Sequence, residues 1–444
     1  MHTPPKQVPL RASVQTLGCR LNQYEGVALE GKLRDAGYEV VEFGEEAELG
    51  VINTCTVTNE ADAKSRNAIR RFNRKNPGAL TVVVGCYSQV SANEVAMVEG
   101  VDYVIGNHDK LNFLHYLEPE KPDVPVIIRD RIDREDFTMG FVGDTNFEQR
   151  ANLKVQDGCD FMCSFCIIPF ARGRARAREY ADLLHEAKEM LNKGVREIVL
   201  TGVNLGTYHS QGYDFLALLD SLSSLGGLDR LRVSSIEPTT IPEEMFAWMA
   251  DPAHPLMPFL HVPLQSGSDP ILSKMKRRYR IGEMEAFFAR ALEAIPRVCM
   301  GTDLMVGYPG ESDSHFQETC DRFMSFPLSY CHAFTYSERD GTPAAKQSDH
   351  VPMDIRRQRS AHLRSLSASK RMDFHKRHLG EEVDVLLENP KNGTYSGYSD
   401  HYLKVAVPES PQGLENRMAR VFIKDARPEF CLGELLSWEE RGKT

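Results

Sequence analysis

The sequence predicts an α/β protein in three parts: an N-terminal α/β parallel-sheet domain, a central partial (β/α)6 barrel and a C-terminal small β-barrel. Three observations predict it. In the first 120 or so residues, short β-branched runs each end directly at a cysteine. Strand-like and helical stretches then alternate through six units. The last 65 residues switch to short alternating runs punctuated by turn signals. The boundaries expected from these changes are 10–122, 145–375 and 378–444.

Residues 13–17 read as a strand ending at Gly18-Cys19. A helical pattern follows through Val27, Ala28, Leu29, Leu33 and Ala36, closed by Gly37. Val51-Ile52 runs into Asn53-Thr54-Cys55, and residues 80–84 run into Gly85-Cys86. In an open parallel sheet the carboxyl ends of the strands form the ligand-binding edge. Cys19, Cys55 and Cys86 are therefore expected to converge, although they lie 36 and 31 residues apart. Residues 122–150 are rich in Pro, Asp and Arg and read as a linker.

The six strand candidates of the barrel are 152–156, 197–201, 231–235, 259–262, 300–305 and 330–334, with helices between them such as 180–193 and 281–294. Right-handed crossovers make this a barrel whose chemistry lies at the C-terminal strand ends. The basic stretch 354–378 reads as one long helix. Residues 383–387, 403–407 and 420–423 then alternate with turns such as Lys391-Asn392-Gly393, at the size of an OB-like barrel.

Cys159, Cys163 and Cys166 stand as C-x3-C-x2-C directly after the first barrel strand. Three thiolates in eight residues can hold three irons of one [4Fe–4S] cluster and leave one iron open. A structural zinc site would want four ligands, usually as two pairs. A cluster with an open iron is what binding and reductive cleavage of S-adenosylmethionine (SAM) requires. At this motif, with Phe165 before the last cysteine, the chain resembles the radical SAM superfamily. By the same logic Cys19, Cys55 and Cys86 read either as ligands of a second cluster or as three buried thiols capping strands.

The run Cys166-Ile167-Ile168-Pro169-Phe170-Ala171-Arg172-Gly173-Arg174 resembles the methylthiotransferase family, and the likeness extends over essentially the whole chain. The resemblance implies two [4Fe–4S] clusters, the auxiliary one on Cys19, Cys55 and Cys86, with SAM as the other cofactor. It also implies that the C-terminal module is a TRAM-like RNA-binding domain. The segment Thr16-Leu17-Gly18-Cys19-Arg20-Leu21-Asn22-Gln23-Tyr24-Glu25 looks most like members acting on N6-threonylcarbamoyladenosine beside the tRNA anticodon. Gly26 stands where a small hydroxyl residue is common, and Ala175 and Ala177 replace frequent serines. The implied reaction is methylthiolation of C2 of that base: a SAM-derived radical takes hydrogen, and sulfur comes from the auxiliary cluster. Implied partners are tRNA and an electron donor such as flavodoxin or ferredoxin. Isopentenyladenosine and a ribosomal protein are alternative substrates, and a non-catalytic metal-binding RNA-binding protein is the alternative outside enzymes.

Strand-end motifs supply the expected SAM contacts: Gly202 and Asn204 after the second strand, Glu237 after the third, Gln265 and Ser266 after the fourth, Asp303 with the fifth-strand group near the expected adenine site, and Phe165 beside the cluster. Taken singly, each is an ordinary βα loop rich in turn formers. The threonylcarbamoyl carboxylate calls for a cation, and Arg172 and Arg174 are the candidates, since a guanidinium pairs a carboxylate bidentately. Cys299, Cys320, Cys331 and Cys431 read as buried or incidental, and the 14 histidines show no metal pairing.

A net charge of −10 argues against general nucleic-acid attraction. Four basic runs, at 64–75, 172–178, 274–280 and 356–377, nevertheless make local phosphate contact plausible. The chain has no apolar run of membrane-spanning length, and Met1-His2-Thr3-Pro4-Pro5 opens no signal peptide. A reducing, cytoplasmic setting without membrane contact is expected.

Overall fold

The computed structural model describes residues 10–118, 120–139, 150–408 and 410–439. These fall into two compact units: the first within Met1–Asn146, Gln156–Arg178 and Ser337–Ala345, the second within Phe147–Val155, Glu179–Tyr336 and Lys346–Thr444.

The first unit is built on a six-stranded parallel sheet. Its strands are β1 (Arg11–Thr16), β2 (Glu39–Val41), β3 (Leu49–Thr54), β4 (Leu80–Gly85), β5 (Tyr103–Ile105) and β6 (Val126–Ile128), in the order β2-β1-β3-β4-β5-β6. Helices cover both faces, which is why β3 and β4 read as continuous apolar runs: Val51, Ile52, Val82, Val83 and Val84 are all fully buried. β6 lies in the stretch expected to be a linker. Its three residues pair with β5, so that stretch completes the sheet edge; residues 140–149 of it lie outside the described residues.

Helix α1 (Arg20–Asp35) follows β1 and packs closely on it: a Cβ at Gly26 would lie 2.1 Å from Thr16 Oγ1. The glycine at 26, a departure from the family pattern, thus leaves room for the Thr16 side chain. Helix α2 (Asn59–Lys75) is capped by Thr58, whose hydroxyl accepts from the Ala61 N–H, worth about 1 kcal/mol. It buries Ile69 and Phe72 and turns Lys64, Arg70, Arg71, Arg74 and Lys75 outward.

In the second unit, strands Arg150–Lys154, Glu197–Thr201 and Arg230–Val233 form one parallel sheet. Phe259–His261, Cys299–Val306 and Tyr330–Thr335 form another, bridged to the first through Leu231–Leu256 and Ser235–His261. The six parallel strands follow chain order, as expected of a partial barrel.

The C-terminal module is a closed five-stranded barrel of Glu382–Leu387, Tyr395–Ser399, Lys404–Val407, Met418–Ala426 and Cys431–Trp438. Asn392 and Gly393 both take positive φ between its first two strands, as the Lys391-Asn392-Gly393 signal predicts. This module shares its apolar core with Phe259 and Cys299 of the central barrel. Buried Arg230 donates to the carbonyls of Asp384 and Tyr398, and buried Arg232 to those of Ser399 and Asp400. Arg232 also pairs with buried Glu197, whose carboxyl burial would raise but the guanidinium brings below its usual range.

The long basic helix is real, Met353–Arg377, but several of its cations are used internally. Arg359 pairs with Glu311 and Asp313, Arg356 donates to the carbonyls of Val351 and Tyr336, and Lys370 donates to those of Phe323, Met324 and Phe326. Burial lowers the Lys370 ammonium to a pKa of about 8. The run reads as an RNA surface in sequence because charge alone does not show which side chains fold inward.

Candidate functional site

β1, β3 and β4 are adjacent, in a register that pairs Thr16 with Asn53, Asn53 with Val84, and Thr54 with Gly85. Cys19, Cys55 and Cys86 therefore leave neighbouring strands at about the same level. Cys19 stands at the N-cap position of α1 without a side-chain capping bond, and Cys86 opens the short helix α3 (Cys86–Val90). Gly18, at φ +100°, lets the backbone pass beside Cys55: a Cβ there would meet Cys55 Cβ at 2.6 Å. Burial, helped by charge on Cys86 and Cys19 and opposed by the Val57 N–H and Arg172, raises the Cys55 thiol to a pKa of about 11. None of the ten cysteines is in a disulfide.

The loop carrying Cys159, Cys163 and Cys166 belongs to the same unit. Cys159 and Cys166 are half-buried and Cys163 is buried. The Phe161 N–H donates to Cys159 Sγ at 3.3 Å, and the Asn107 amide donates to Cys86 Sγ at 3.4 Å. Such donors stabilise charged or cluster-bound sulfur. Each set thus places three thiols on one loop or on three neighbouring strand ends, with an N–H donor to Cys159 in one and to Cys86 in the other; three thiolates are the donor set of an iron–sulfur cluster.

A buried polar network holds the loops of both sets. Arg172, six residues past Cys166 and 1% exposed, grips Glu25 bidentately at 3.0 and 2.9 Å and donates to Asp157 at 3.1 Å. It donates also to Asn22, whose amide donates to the carbonyls of Leu17, two residues before Cys19, and Thr54, next to Cys55. Lys110 pairs with Glu25 and donates to Asn107 Oδ1 at 2.8 Å. Asn107 donates to Ala171 O at 2.6 Å as well as to Cys86.

One correction follows. Arg172 faces inward and holds the protein's own carboxylates, so it is not placed to meet a substrate carboxylate. The 19–25 segment, whose likeness suggests the nucleoside, is largely internal: Asn22, Tyr24 and Glu25 are buried, and the Tyr24 hydroxyl accepts from Arg178. Arg174 is half-exposed, 3.7 Å from Asp160.

One tie escapes the sequence reading. Arg339 donates to Asp62, Asn59 and the hydroxyl of Thr56, next to Cys55. Five residues on, the Ala344 N–H donates to the carbonyl of Ser164, between Cys163 and Cys166. The only signal was a turn-like Arg339-Asp340-Gly341-Thr342-Pro343, which resembles any loop.

In the second unit the expected SAM contacts divide. Gly202 is half-buried in the loop after its strand, and Phe165, of the first unit, is half-buried in its own loop. Gln265 is held at φ +66° between the Asp303 and Met305 backbones, a strained conformation of the kind found at functional strand ends. Asn204 is buried with its amide oxygen accepting from Thr240. Ser266 is buried against Thr319 and caps Ser268, a structural role. Glu237 is paired with Arg277 rather than left open, and burial raises its carboxyl's pKa despite that guanidinium.

Asp303 joins His261 at 3.0 Å and His332 at 3.2 Å. Burial would raise its carboxyl, but the two imidazoles outweigh this and hold it well below the usual carboxylate range. The histidines thus do pair. Asp303 and His332 are register partners on adjacent strands, and residues this far apart in sequence carry no spacing signal. Their ligand atoms and Asp303's lie within 4.8 Å of one another. Cys299, Cys320, Cys331 and Cys431 are buried, and burial pushes their thiols up to about 11 or 12.

The radical SAM superfamily matches residues 153–323, and the uncharacterized protein family UPF0004 matches residues 11–106. A cobalamin- and [4Fe-4S]-bound radical S-adenosylmethionine methyltransferase, TsrM of Kitasatospora setae, shares the fold with a TM-score of 0.55 at 16% identity, over 76% of this chain and 77% of its own. Fold, triplet loop and family match define a radical SAM enzyme. The chain is 35% identical to threonylcarbamoyladenosine tRNA methylthiotransferase MtaB of Bacillus subtilis over 91% of each chain. It is 30% identical to tRNA-2-methylthio-N(6)-dimethylallyladenosine synthase of Anaplasma phagocytophilum, over 96% of this chain and 98% of that one. The chain belongs to the radical SAM tRNA methylthiotransferase family, enzymes that use SAM and a [4Fe–4S] cluster and act on tRNA. Among the described residues no helix is long and apolar enough to cross a membrane.

Proposed function

We propose that this enzyme methylthiolates C2 of N6-threonylcarbamoyladenosine beside the tRNA anticodon. The observation that carries it is the convergence of a second three-cysteine set in a chain 31–38% identical to several threonylcarbamoyladenosine tRNA methylthiotransferases. The dimethylallyladenosine enzymes compared reach 28–30%. Cys159, Cys163 and Cys166 would hold the radical cluster, and Cys19, Cys55 and Cys86 a second. Loaded, the two clusters would supply reductive cleavage of SAM and a site from which sulfur is delivered.

The chain's own residues orient and shield. Arg172, Glu25, Lys110 and Asn107 fix the two cysteine loops in one rigid body. Burial of this network excludes water from the region between Cys86 and the end of the radical loop. Gln265 and Asp303 are the strand-end groups proposed for SAM, and Arg174 is the remaining cation for the threonyl carboxylate. Anticodon-loop bases are single-stranded, so presenting a C2 edge costs little unpairing. A flavodoxin or ferredoxin is the proposed electron donor, and the cytoplasm the proposed compartment.

The test is nucleoside mass spectrometry of tRNA treated with reconstituted, reduced enzyme. The 2-methylthio product is expected only with tRNA carrying the threonylcarbamoyl group. Equal turnover of tRNA lacking it, or preference for isopentenyladenosine, refutes the substrate and leaves the family intact.

A further inference from the structure

The first unit carries a cleft of about 610 Å³ that the cysteine sets do not use. One wall is the residue 131–134 stretch, and the other is the helical turn after the radical loop, with Phe170 and Arg174. The walls are pinned. A Cβ on Gly173, at φ +77°, would meet Ile132 Cγ2 at 2.8 Å, so glycine lets the two strands of chain touch. Gln89, on α3, donates to Asp130 O at 3.2 Å, and Arg176 lies 3.7 Å from Asp133 and over the Phe137 ring.

The lining is unusual in what it leaves unspent. Arg131 and Arg134 are exposed and make no ion pair or hydrogen bond among the described residues, whereas Arg172, Arg176 and Arg178 nearby all face internal partners. Phe170 is 47% exposed, although helix Ile168–Arg172 buries Ala171 and Arg172 around it. The one acid of the lining, Asp133, is the partner of Arg176. Two free guanidiniums flanking an exposed aromatic ring match a single-stranded nucleotide, whose base stacks while its phosphates meet the cations.

We propose that this cleft binds a nucleotide of the tRNA anticodon loop adjoining the modified base, with Phe170 under the base and Arg131 and Arg134 on flanking phosphates. The proposal rests on the tRNA reading and deepens it. It assigns RNA contact to the stretch between sheet and barrel, in addition to the acidic C-terminal module, which carries 8 Lys and Arg against 12 Asp and Glu over residues 381–444.

The experiment measures binding of the full-length, cluster-loaded enzyme to fluorescently labelled tRNA across a salt series. R131A/R134A is expected to weaken binding about tenfold or more. Its slope of log affinity on log salt should be shallower by about 1.4, since each single-strand phosphate contact contributes roughly 0.7. F170A is expected to weaken binding about fivefold or more with the slope unchanged, because stacking is uncharged. R131K/R134K keeps the charge and should retain the slope, which separates lost contact from lost folding. Wild-type affinity and slope in both R131A/R134A and F170A overturn the cleft alone, with tRNA modification by the wild type intact. An affinity loss in R131A/R134A without a slope change overturns the phosphate contacts. A wild-type enzyme that binds no tRNA overturns the cleft together with the reading beneath it.

Discussion

Cys159, Cys163 and Cys166 sit in one eight-residue loop, whereas Cys19, Cys55 and Cys86 come from three strand ends spread over 67 residues. The first set needs only a loop of the right conformation. The second needs three adjacent parallel strands in correct register, because slipping one strand by a single residue would move its cysteine off the edge. Both sets nevertheless end in the same unit and depend on the same buried charges, Arg172 on one side and Glu25 and Lys110 on the other. Cysteines that are local in sequence and cysteines assembled by a sheet thus belong to loops held by one set of hydrogen bonds.

The largest expected effect breaks the local set. Replacing Cys159, Cys163 and Cys166 together with Ala should abolish 5′-deoxyadenosine formation and remove about four irons per chain. Retained 5′-deoxyadenosine in a folded variant would remove the radical-cluster assignment.

Breaking the dispersed set should give the opposite phenotype. The triple Ala variant at Cys19, Cys55 and Cys86 should lose a similar amount of iron, about four per chain, and all methylthiolated product, yet still cleave SAM. Normal product formation would remove those three cysteines from the cluster-ligand assignment.

A third change sharpens the comparison by striking what the sets share. Arg172→Ala leaves Glu25 and Asp157 without their guanidinium inside the protein, a loss of about 3–5 kcal/mol. Both cluster sites should load poorly, and the chemical denaturation midpoint should fall. Full iron content with an unchanged midpoint would mean that the two loops are held independently.

The smallest effect distinguishes the sets spectroscopically. Asn107→Leu removes the N–H donor on Cys86 Sγ and should lower the reduction potential of the auxiliary cluster alone, since hydrogen bonds to sulfur raise it. Potentiometric titration followed by electron paramagnetic resonance would read this. A shift in the other cluster's signal instead would show that Asn107 acts mainly through Ala171.

Truncation is a poorer instrument than the sequence suggests. Removing the C-terminal barrel would expose Phe259 and Cys299 and strand the Arg230 and Arg232 guanidiniums, so weakened RNA binding after truncation would not locate the RNA surface.

Much of this was legible beforehand for identifiable reasons. The six barrel strands lie close to where they are expected, because each carries buried apolar residues such as Leu153, Ile198, Leu231, Leu260, Met300 and Cys331, even though Lys154, Arg230 and Arg232 are buried among them. The Asn392-Gly393 turn was legible because a tight turn needs residues that tolerate positive φ. β6 was missed because three residues, Val126–Ile128, at a sheet edge carry too little pattern among prolines and acids. Arg172 was misassigned because a guanidinium beside a catalytic motif looks the same whether it points out or in.

By itself the sequence determined the class of chemistry, that of a radical SAM methylthiotransferase. The spacing of Cys159, Cys163 and Cys166 specifies a local three-cysteine loop, and a Gly-Cys or Asn-Thr-Cys after an apolar run marks a cysteine at a strand end. Only the tertiary structure decided which charges are spent. It buried Arg172 and Arg232 against carboxylates, paired Asp303 with two histidines from neighbouring strands, and left Arg131 and Arg134 exposed beside Phe170. The physical reason is that ligand spacing along a chain is a local property, written in consecutive residues. The partner of a charge is set by which distant segments pack around it, and desolvation makes that partnership decisive once the group leaves water.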